Sequence, residues 1–437
     1  MPKAPNALKH AARHTRWTPT TRIVAHSHAH SPDGSSSVRR PTPRSAPREQ
    51  PERDEWTLSW LQRWDKSKGK WIRVDEGALP SDAPLLPFRN SHTKPRLSLM
   101  TYNTFSSSPT HTRAQSLALA SLIADSGCAF IALQEISAPF YRFLLAQPSF
   151  RESGYAISRP EEYWRISGRG SAQRGKEGAR EACVVLVKEG LLGRGSEVRV
   201  GRLGRGRDEG GKAAIGVRIV SGGREVLRLA TSHFSSLHFN AHLRTRQFRT
   251  CLSFLSHHFR SSSSIASSSE TREDAAQPVC ILLGDFNASN ASEFDTLTSD
   301  SSLDLVDAFD LFSRSYPPSH SHPKKSKKRN RSQRDQEEYR EGEQDGDSFR
   351  TPPTFGHLYP WIRPPSTLKT RTPKPRKVRR IDRVYLSRED VQVRGYEHRG
   401  GQPLEGETDG CGKDGGMFAS DHEAVVVEVE VRLGVKW

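Results

Sequence analysis

The chain has 437 residues, enough for one large domain or two ordinary ones, but only 34% are apolar, too few for a chain packed throughout. A formal charge of +17 points to polyanionic partners, nucleic acid first and anionic membrane surfaces second. The five cysteines are scattered without a Cys-x-x-Cys pair, so buried reduced thiols of a cytosolic or nuclear protein fit better than a disulfide or zinc framework. No apolar stretch approaches the roughly 20 residues of a membrane span, so no transmembrane segment is expected.

Residues 1–50 are rich in Arg, His, Ser and Pro and nearly free of acids. Such a segment buries too little surface to offset its ordering entropy, and disorder is expected. Its Arg-rich, acid-poor character also suits a mitochondrial transit peptide, but prolines and histidines spoil the amphipathic helix, which makes import the minority reading. A Trp-rich lead-in, 51–95, carries Trp56, Trp60, Trp64 and Trp71. The first three are four apart, which predicts a helical stripe or a small ordered element packed on the main domain.

The folded domain is expected over 96–433. Leu97–Tyr102 reads as a strand, 114–126 as a helix, and 129–133 as a second buried strand. Segments 182–187, 213–220 and 226–231 read as strands between Gly-rich turns, and 243–259 as an amphipathic helix. Strands at 279–283, 380–386 and 424–431 complete the set. This order predicts an α/β (α+β) sandwich. Polar, low-complexity stretches near 261–277, 313–353 and 396–416 read as disordered inserts in surface loops. The basic run at 323–331 suits a nuclear-localisation signal or a phosphate contact, so the expectation is a nuclear protein, with mitochondrial or cytoplasmic placement second.

Several apolar runs end in chemistry. Leu-Met-Thr-Tyr-Asn ends at Asn103, Ile-Ala-Leu-Gln-Glu at Glu135, and Leu-Leu-Gly-Asp-Phe-Asn at Asp285 and Asn287. Thr-Ser-His ends at His233, and Ala-Ser-Asp-His leads into the last strand with Asp421 and His422. In a strand, positions two apart share a face, so Asp285 and Asn287 can aim at one target. Glu135, with Asn103 and Asp421, offers the hard oxygen site that suits Mg²⁺ or Mn²⁺. Asp285 is a general-base candidate for a water, with Asn287 orienting it. His422 and His233 are expected to hold the oxygens of a phosphate, and Asp382 to fix the His422 tautomer. Arg380, with Arg376, Lys377 and Arg379, approaches the Asp382 strand and is expected to steer a nucleic-acid substrate. Asp307 reads as a structural anchor.

The ordered set Tyr-Asn, Leu-Gln-Glu, Gly-Asp-x-Asn and Ser-Asp-His resembles the endonuclease/exonuclease/phosphatase superfamily over about 96–433. The resemblance implies a four-layered α/β sandwich with its site at the strand ends. Thr231-Ser232-His233-Phe234-Ser235-Ser236, Leu305–Phe309, Thr354-Phe355-Gly356 and Arg380–Tyr385 resemble the tyrosyl-DNA phosphodiesterase branch. That branch implies Asn103 and Glu135 at the metal, Asp285 and Asn287 at the water, His233 and Ser236 at the phosphate, and His422 at the transition state. Ala288 and Ser289 depart from it where an arginine is expected, as does Phe355 where a tryptophan is. The expected function is a Mg²⁺-dependent phosphodiesterase of nucleic acid, DNA first, acting as a 5′-tyrosyl-DNA phosphodiesterase in repair. The alternatives are an apurinic endonuclease, an RNA nuclease or deadenylase, an inositol or sphingolipid phosphatase, or a catalytically dead nucleic-acid-binding scaffold.

Overall fold

Strand alternation builds the core and also aims the polar residues. The computed structural model describes residues 56–74, 95–106, 112–161, 163, 181–203, 212–221, 224–236, 238–256, 277–288, 290–300, 302–316, 354, 361–362, 374–375, 379–401 and 419–431. The expectations for 1–50 and for the basic run 323–331 fall outside these residues.

One sheet has seven strands, in the order β1 (Trp56–Ser59), β8 (Glu197–Leu203), β9 (Lys212–Ser221), β10 (Arg224–His233), β11 (Val279–Asp285), β15 (Asp382–Ser387) and β12 (Leu305–Asp307). The other has eight, in the order β16 (Val391–Arg399), β17 (Ala424–Val431), β4 (Arg96–Asn103), β5 (Phe130–Ser137), β7 (Glu181–Lys188), β6 (Tyr155–Ser158), β2 (Leu61–Asp65) and β3 (Lys70–Arg73). A two-strand ribbon, β13 (Trp361–Ile362) and β14 (Lys374–Pro375), stands apart from both sheets.

The inner faces share one core. Leu97, Leu99, Phe130 and Ala132 from one sheet meet Leu229, Ile281, Leu283 and Val384 from the other. The alternate positions face outward. Met100, Tyr102, Ile131 and Leu133 pack under α1 (Arg113–Asp125), α2 (Ala138–Ala146) and α3 (Pro148–Glu152). Ala230, Cys280 and Leu282 pack under α4 (Ala241–Ser256) with its Phe248, Cys251 and Phe254. Helix, sheet, sheet and helix make the four layers that the motifs implied. Two shorter helices, α5 (Asp295–Asp300) and α6 (Ala308–Ser315), flank β12. At roughly 1.5–3 kcal/mol for each buried aliphatic or aromatic side chain, this double core dominates the favourable side of stability.

Local signals explain several boundaries. Helix α1 starts with a capping box: Gln115 N donates to Thr112 Oγ1 at 3.2 Å and Thr112 N to Gln115 Oε1 at 2.8 Å. Gly284, one residue before the end of β11, takes φ +154°, and an added Cβ there would lie 2.1 Å from Ser232 O of the paired strand. Only glycine admits that close approach.

The tryptophan lead-in forms β-strands and not the helical stripe its spacing allowed. A four-residue repeat is also even, so it satisfies a period of two as well as a helical turn. Trp56 packs on Phe254 with centroids 4.6 Å apart, above a glycine, Gly201, whose missing Cβ makes the room. Trp71 donates its indole N–H to Leu145 O at 3.1 Å. The regular chain also runs a few residues into two of the expected inserts, with α6 reaching Ser315 and β16 reaching Arg399. Beyond Tyr316 and Gly401 the rest of those two inserts, and almost all of 261–277, fall outside the described residues.

Candidate active site

The inner-face stripe of each central strand is apolar through the core and turns polar at one end. On β4 it runs Leu97, Leu99, Thr101, Asn103; on β10 it runs Leu227, Leu229, Thr231, His233; on β11 it runs Ile281, Leu283, Asp285. Parallel pairing sets His233 opposite Asp285, and antiparallel pairing sets Asp285 opposite Asp382 at the head of β15. Four strands thus deliver polar groups to one spot, where the inter-sheet core stops.

Glu135 reaches the spot by a different device. Strict alternation on β5 would turn it toward the helices. The pairing of β5 with β7 shifts register between Leu133 and Ile136, and Glu135 takes φ +54°. This bulge lets both Gln134 and Glu135 face the opposite sheet. Gln134 Nε2 donates to Thr231 Oγ1 at 3.4 Å, and Ser106 Oγ fixes the bulge by donating to Glu135 O at 2.8 Å.

Asn103 joins the two carboxylates. Its Nδ2 donates to Glu135 Oε1 at 3.0 Å and to Asp285 Oδ2 at 2.9 Å, while Phe105 N donates to its Oδ1 at 3.0 Å. Asn103 therefore clamps the two acids together through its amide nitrogen. Asn287, at φ +52°, donates its backbone N–H to Asp285 Oδ1 at 2.9 Å and its Nδ2 to Phe234 O at 3.1 Å.

Two histidines flank Asp285 with opposite wiring. His422 Nδ1 donates to Asp382 Oδ2 at 2.8 Å, leaving Nε2 at 3.9 Å from Asp285 Oδ2 and 3.8 Å from Asp421 Oδ1. Across the cluster, Lys212 Nζ lies 3.2 Å from His233 Nδ1. An ammonium only donates, so Nδ1 accepts and the ring proton sits on Nε2. That Nε2 points at Asp285 Oδ2 (3.7 Å) and Glu135 Oε1 (3.9 Å).

Burial shapes the electrostatics. It pushes the Asp285 carboxyl up to about 7, helped by the Asp382 charge and opposed by His422, Asn103 and the Asn287 N–H. Burial pulls the His422 imidazolium down, but the Asp382 carboxylate and its hydrogen bond, with Asp421 and Asp285, outweigh this and raise it to about 10. Glu135 is raised by burial and then by the Glu181 charge, against the Asn103 hydrogen bond.

Thr354 pins the His422 side. Fully buried, its Oγ1 accepts from Ile381 N and Asp382 N, both at 3.1 Å. Its backbone N–H donates to Arg379 O and its carbonyl accepts from Glu423 N. One residue therefore ties the head of β15 to the segment carrying Asp421 and His422. Ser420 completes the tie, with Oγ donating to Asn103 O at 2.7 Å and accepting from His422 N at 3.1 Å.

The structure thus gathers Asn103, Glu135, His233, Asp285, Asn287, Asp382, Asp421 and His422. Arg380 is not brought into this cluster. Its guanidinium is buried, 2.9 Å from Asp307 Oδ1 and stacked over Phe309, while Arg383 takes Asp307 Oδ2 at 3.1 Å. It is a structural ion and not the exposed steering cation expected of it. Asp307 caps α6 through Phe309 N, as an anchor should. Ser236 lies exposed beyond β10, its carbonyl accepting from Asn240 Nδ2.

Two charged residues were missed. Glu181 heads β7 and Lys212 heads β9, and both line a small cleft with Glu135, Tyr163, Cys183 and His233. Donor atoms of Glu135, Glu181 and His233 lie within 4.8 Å of one another. The signal was a lone charge at the head of an apolar strand: β7 runs antiparallel to β5 and β9 to β10, so their heads share an end with the other strands' tails.

The donor chemistry fits a divalent cation. Glu135 and Glu181 press like charges together beside Asp421, an arrangement of hard oxygens that Mg²⁺ or Mn²⁺ would relieve.

Residues 100–422 match the Endonuclease/Exonuclease/phosphatase family. No curated relative matches the chain in sequence. Among solved structures it is similar to TDP2 of D. rerio complexed with a single-strand DNA product, at 14% identity over 76% of this chain and 98% of that one, TM-score 0.46. Truncated Caenorhabditis elegans TDP2 shares 16% identity over 79% of this chain and 99% of its own, TM-score 0.45. The human Nocturnin catalytic domain with a bound sulfate anion shares 15% over 77% and 94%, TM-score 0.46.

Proposed function

The chain belongs to the endonuclease/exonuclease/phosphatase family, whose members are hydrolases of phosphoester bonds, and from that premise we propose that it is a divalent-metal-dependent phosphodiesterase of nucleic acid, with 5′-tyrosyl DNA as the specific substrate. The observation that carries the reading is the clamp: one carboxamide nitrogen, Asn103 Nδ2, holds Glu135 and Asp285 together with a histidine on either side.

The roles follow from the atoms. Asp285 takes the proton of an attacking water, and its raised affinity for protons matches a base working near neutral pH. Asn287 holds Oδ1 of that carboxylate, which leaves Oδ2 to face the two histidines. His422, kept charged by Asp382, donates from Nε2 to a nonbridging oxygen as negative charge builds in the transition state. His233 offers its Nε2–H from the other side. Glu135, with Glu181 beside it, would hold Mg²⁺ or Mn²⁺, and Asp421 adds its negative charge to the surroundings of Glu135. A bound cation of this kind supplies neutralisation of phosphate charge. This reading gives the exposed Ser236 hydroxyl to the same phosphate.

The preference for DNA rests on the net charge of +17 and on the tyrosyl-DNA phosphodiesterase-like motifs around His233 and Asp382. The basic run 323–331 supports a nuclear role in DNA repair. A substrate panel tests the assignment: a 5′-tyrosyl oligonucleotide, an abasic duplex, poly(A) RNA and an inositol phosphate, each with wild type and Glu135→Gln. The 5′-tyrosyl oligonucleotide should turn over fastest, and only with Mg²⁺ or Mn²⁺. Faster turnover of another member would reassign the substrate, and no turnover of any would favour a binding scaffold.

A further inference from the structure

We propose that Phe239 and the solvent face of α4 form a subsite for single-stranded nucleic acid at the rim of the active site. The phenyl ring would stack against a base while Arg246 and Arg249 follow the backbone. The inference rests on the nucleic-acid reading above and names a surface that the catalytic residues do not use.

Phe239 is 63% exposed, the most exposed of the large hydrophobic side chains among the described residues. Its aromatic neighbours in sequence behave oppositely: Phe234 and Phe248 are fully buried in the cluster under α4. A single exposed apolar side chain is ordinary on a protein surface. Three features make this one a platform.

The first is position. Phe239 follows His233 by six residues, in a turn (His238–Asn240) between the end of β10 and the start of α4. The second is rigidity. Asn240 Nδ2 donates to Ser236 O at 2.7 Å, folding the turn back on itself. Ser235 is held from three directions: its N–H by Gln247 Oε1 (2.9 Å), its hydroxyl by Gln247 Nε2 (2.9 Å) and its carbonyl by Arg244 Nη1 (3.2 Å). Arg244 is itself fixed by a two-pronged pairing with Glu293. A ring presented from a braced turn loses little freedom on binding.

The third is charge. Helix α4 contains no Asp or Glu, and its buried Arg244 is taken by Glu293. His242, Arg246 and Arg249 are exposed at spacings of four and three, which sets them on one helical face. That stripe leads away from Phe239 over about 10 Å of helix axis. An aromatic platform continuous with a basic track is the arrangement that binds single strands with little sequence preference.

The test is fluorescence anisotropy of a labelled single-stranded oligonucleotide with the full chain, in chelator so that nothing is hydrolysed. Phe239→Ala should weaken binding about tenfold, within the range for loss of one stacked base, and Phe239→Trp should restore it. Abasic sites placed through the oligonucleotide should weaken wild-type binding equally and make Phe239→Ala silent. The double variant Arg246→Gln/Arg249→Gln should flatten the dependence of log Kd on log salt by about 1.4. Thermal melting confirms that each variant is folded. If wild type binds and Phe239→Ala binds within twofold of it, the subsite is wrong while the phosphodiesterase reading stands. If wild type binds no oligonucleotide but hydrolyses another phosphate ester, the nucleic-acid reading and the subsite both fail.

Discussion

Asp382 is the residue on which the pH behaviour turns. It holds the His422 proton, and its own charge also helps to raise Asp285. In the proposed mechanism Asp285 acts as the base when ionised, so activity should rise with pH through about 7. A divalent cation bound beside it would move that limb down. In the same mechanism His422 donates when protonated, so activity should fall as pH passes about 10. Asp382→Asn removes the charge that keeps the proton on and should bring the alkaline limb down toward the ordinary imidazole value near 6.5. A kcat/KM profile of both proteins checks this. The same shifts act on stability. Both groups hold protons more tightly folded than unfolded, so their contribution is fully present below the unfolded values of 3.8 and 6.5. It is lost as pH rises through about 7 and about 10. The melting temperature of the metal-free chain should therefore fall between pH 7 and 10, and fall less in Asp382→Asn. Glu135→Gln should leave the fold intact and raise the metal concentration needed for half-maximal rate by tenfold or more.

Among elements, β11 and β15 carry the site and are braced from outside it. Gly284 lets β11 lie against β10 through its last rungs, where a side chain would strike Ser232 O. Gly284→Ala should cost about 2 kcal/mol or more in urea unfolding, through a positive φ and overpacking together, and should misplace Asp285. Asp307 fastens β12 and the start of α6 to β15 through Arg380 and Arg383. Burial pushes its carboxyl up, but the two guanidinium groups hold it below the ordinary range. Asp307→Ala leaves two buried cations uncompensated and should destabilise by about 3–5 kcal/mol. Arg380 thus takes the place of an expected substrate contact with a structural one, because sequence shows charge but not burial. The β5 bulge was hidden for a related reason. Gln134 and Glu135 are adjacent polar residues that cannot share a face in a regular strand, so for both to face the opposite sheet the strand had to break between its neighbours. That conflict with a period of two was visible; its resolution toward the opposite sheet needed the third dimension.

For the whole molecule, the four layers and the position of the site were legible because each central strand writes its inner face as an apolar run with a polar end. Asn103, His233, Asp285 and Asp382 all continue an inner-face stripe, and their convergence follows from strand pairing alone. Glu181 and Lys212 were not legible, because the ends of antiparallel strands mix heads with tails and only the topology says which heads arrive. The Trp lead-in is the small ordered element packed on the domain that its spacing allows, but built of strands and not a helix, since every four is also every two. The central claim is that Asp285 is the base of a metal-dependent phosphodiesterase. Its most direct test is single-turnover hydrolysis of a 5′-tyrosyl oligonucleotide at saturating Mg²⁺, comparing wild type with Asp285→Asn. The rate should fall by about 10²–10⁴, as expected for loss of a general base, with a melting temperature no lower than that of wild type. A variant that turns over within tenfold of wild type would contradict it.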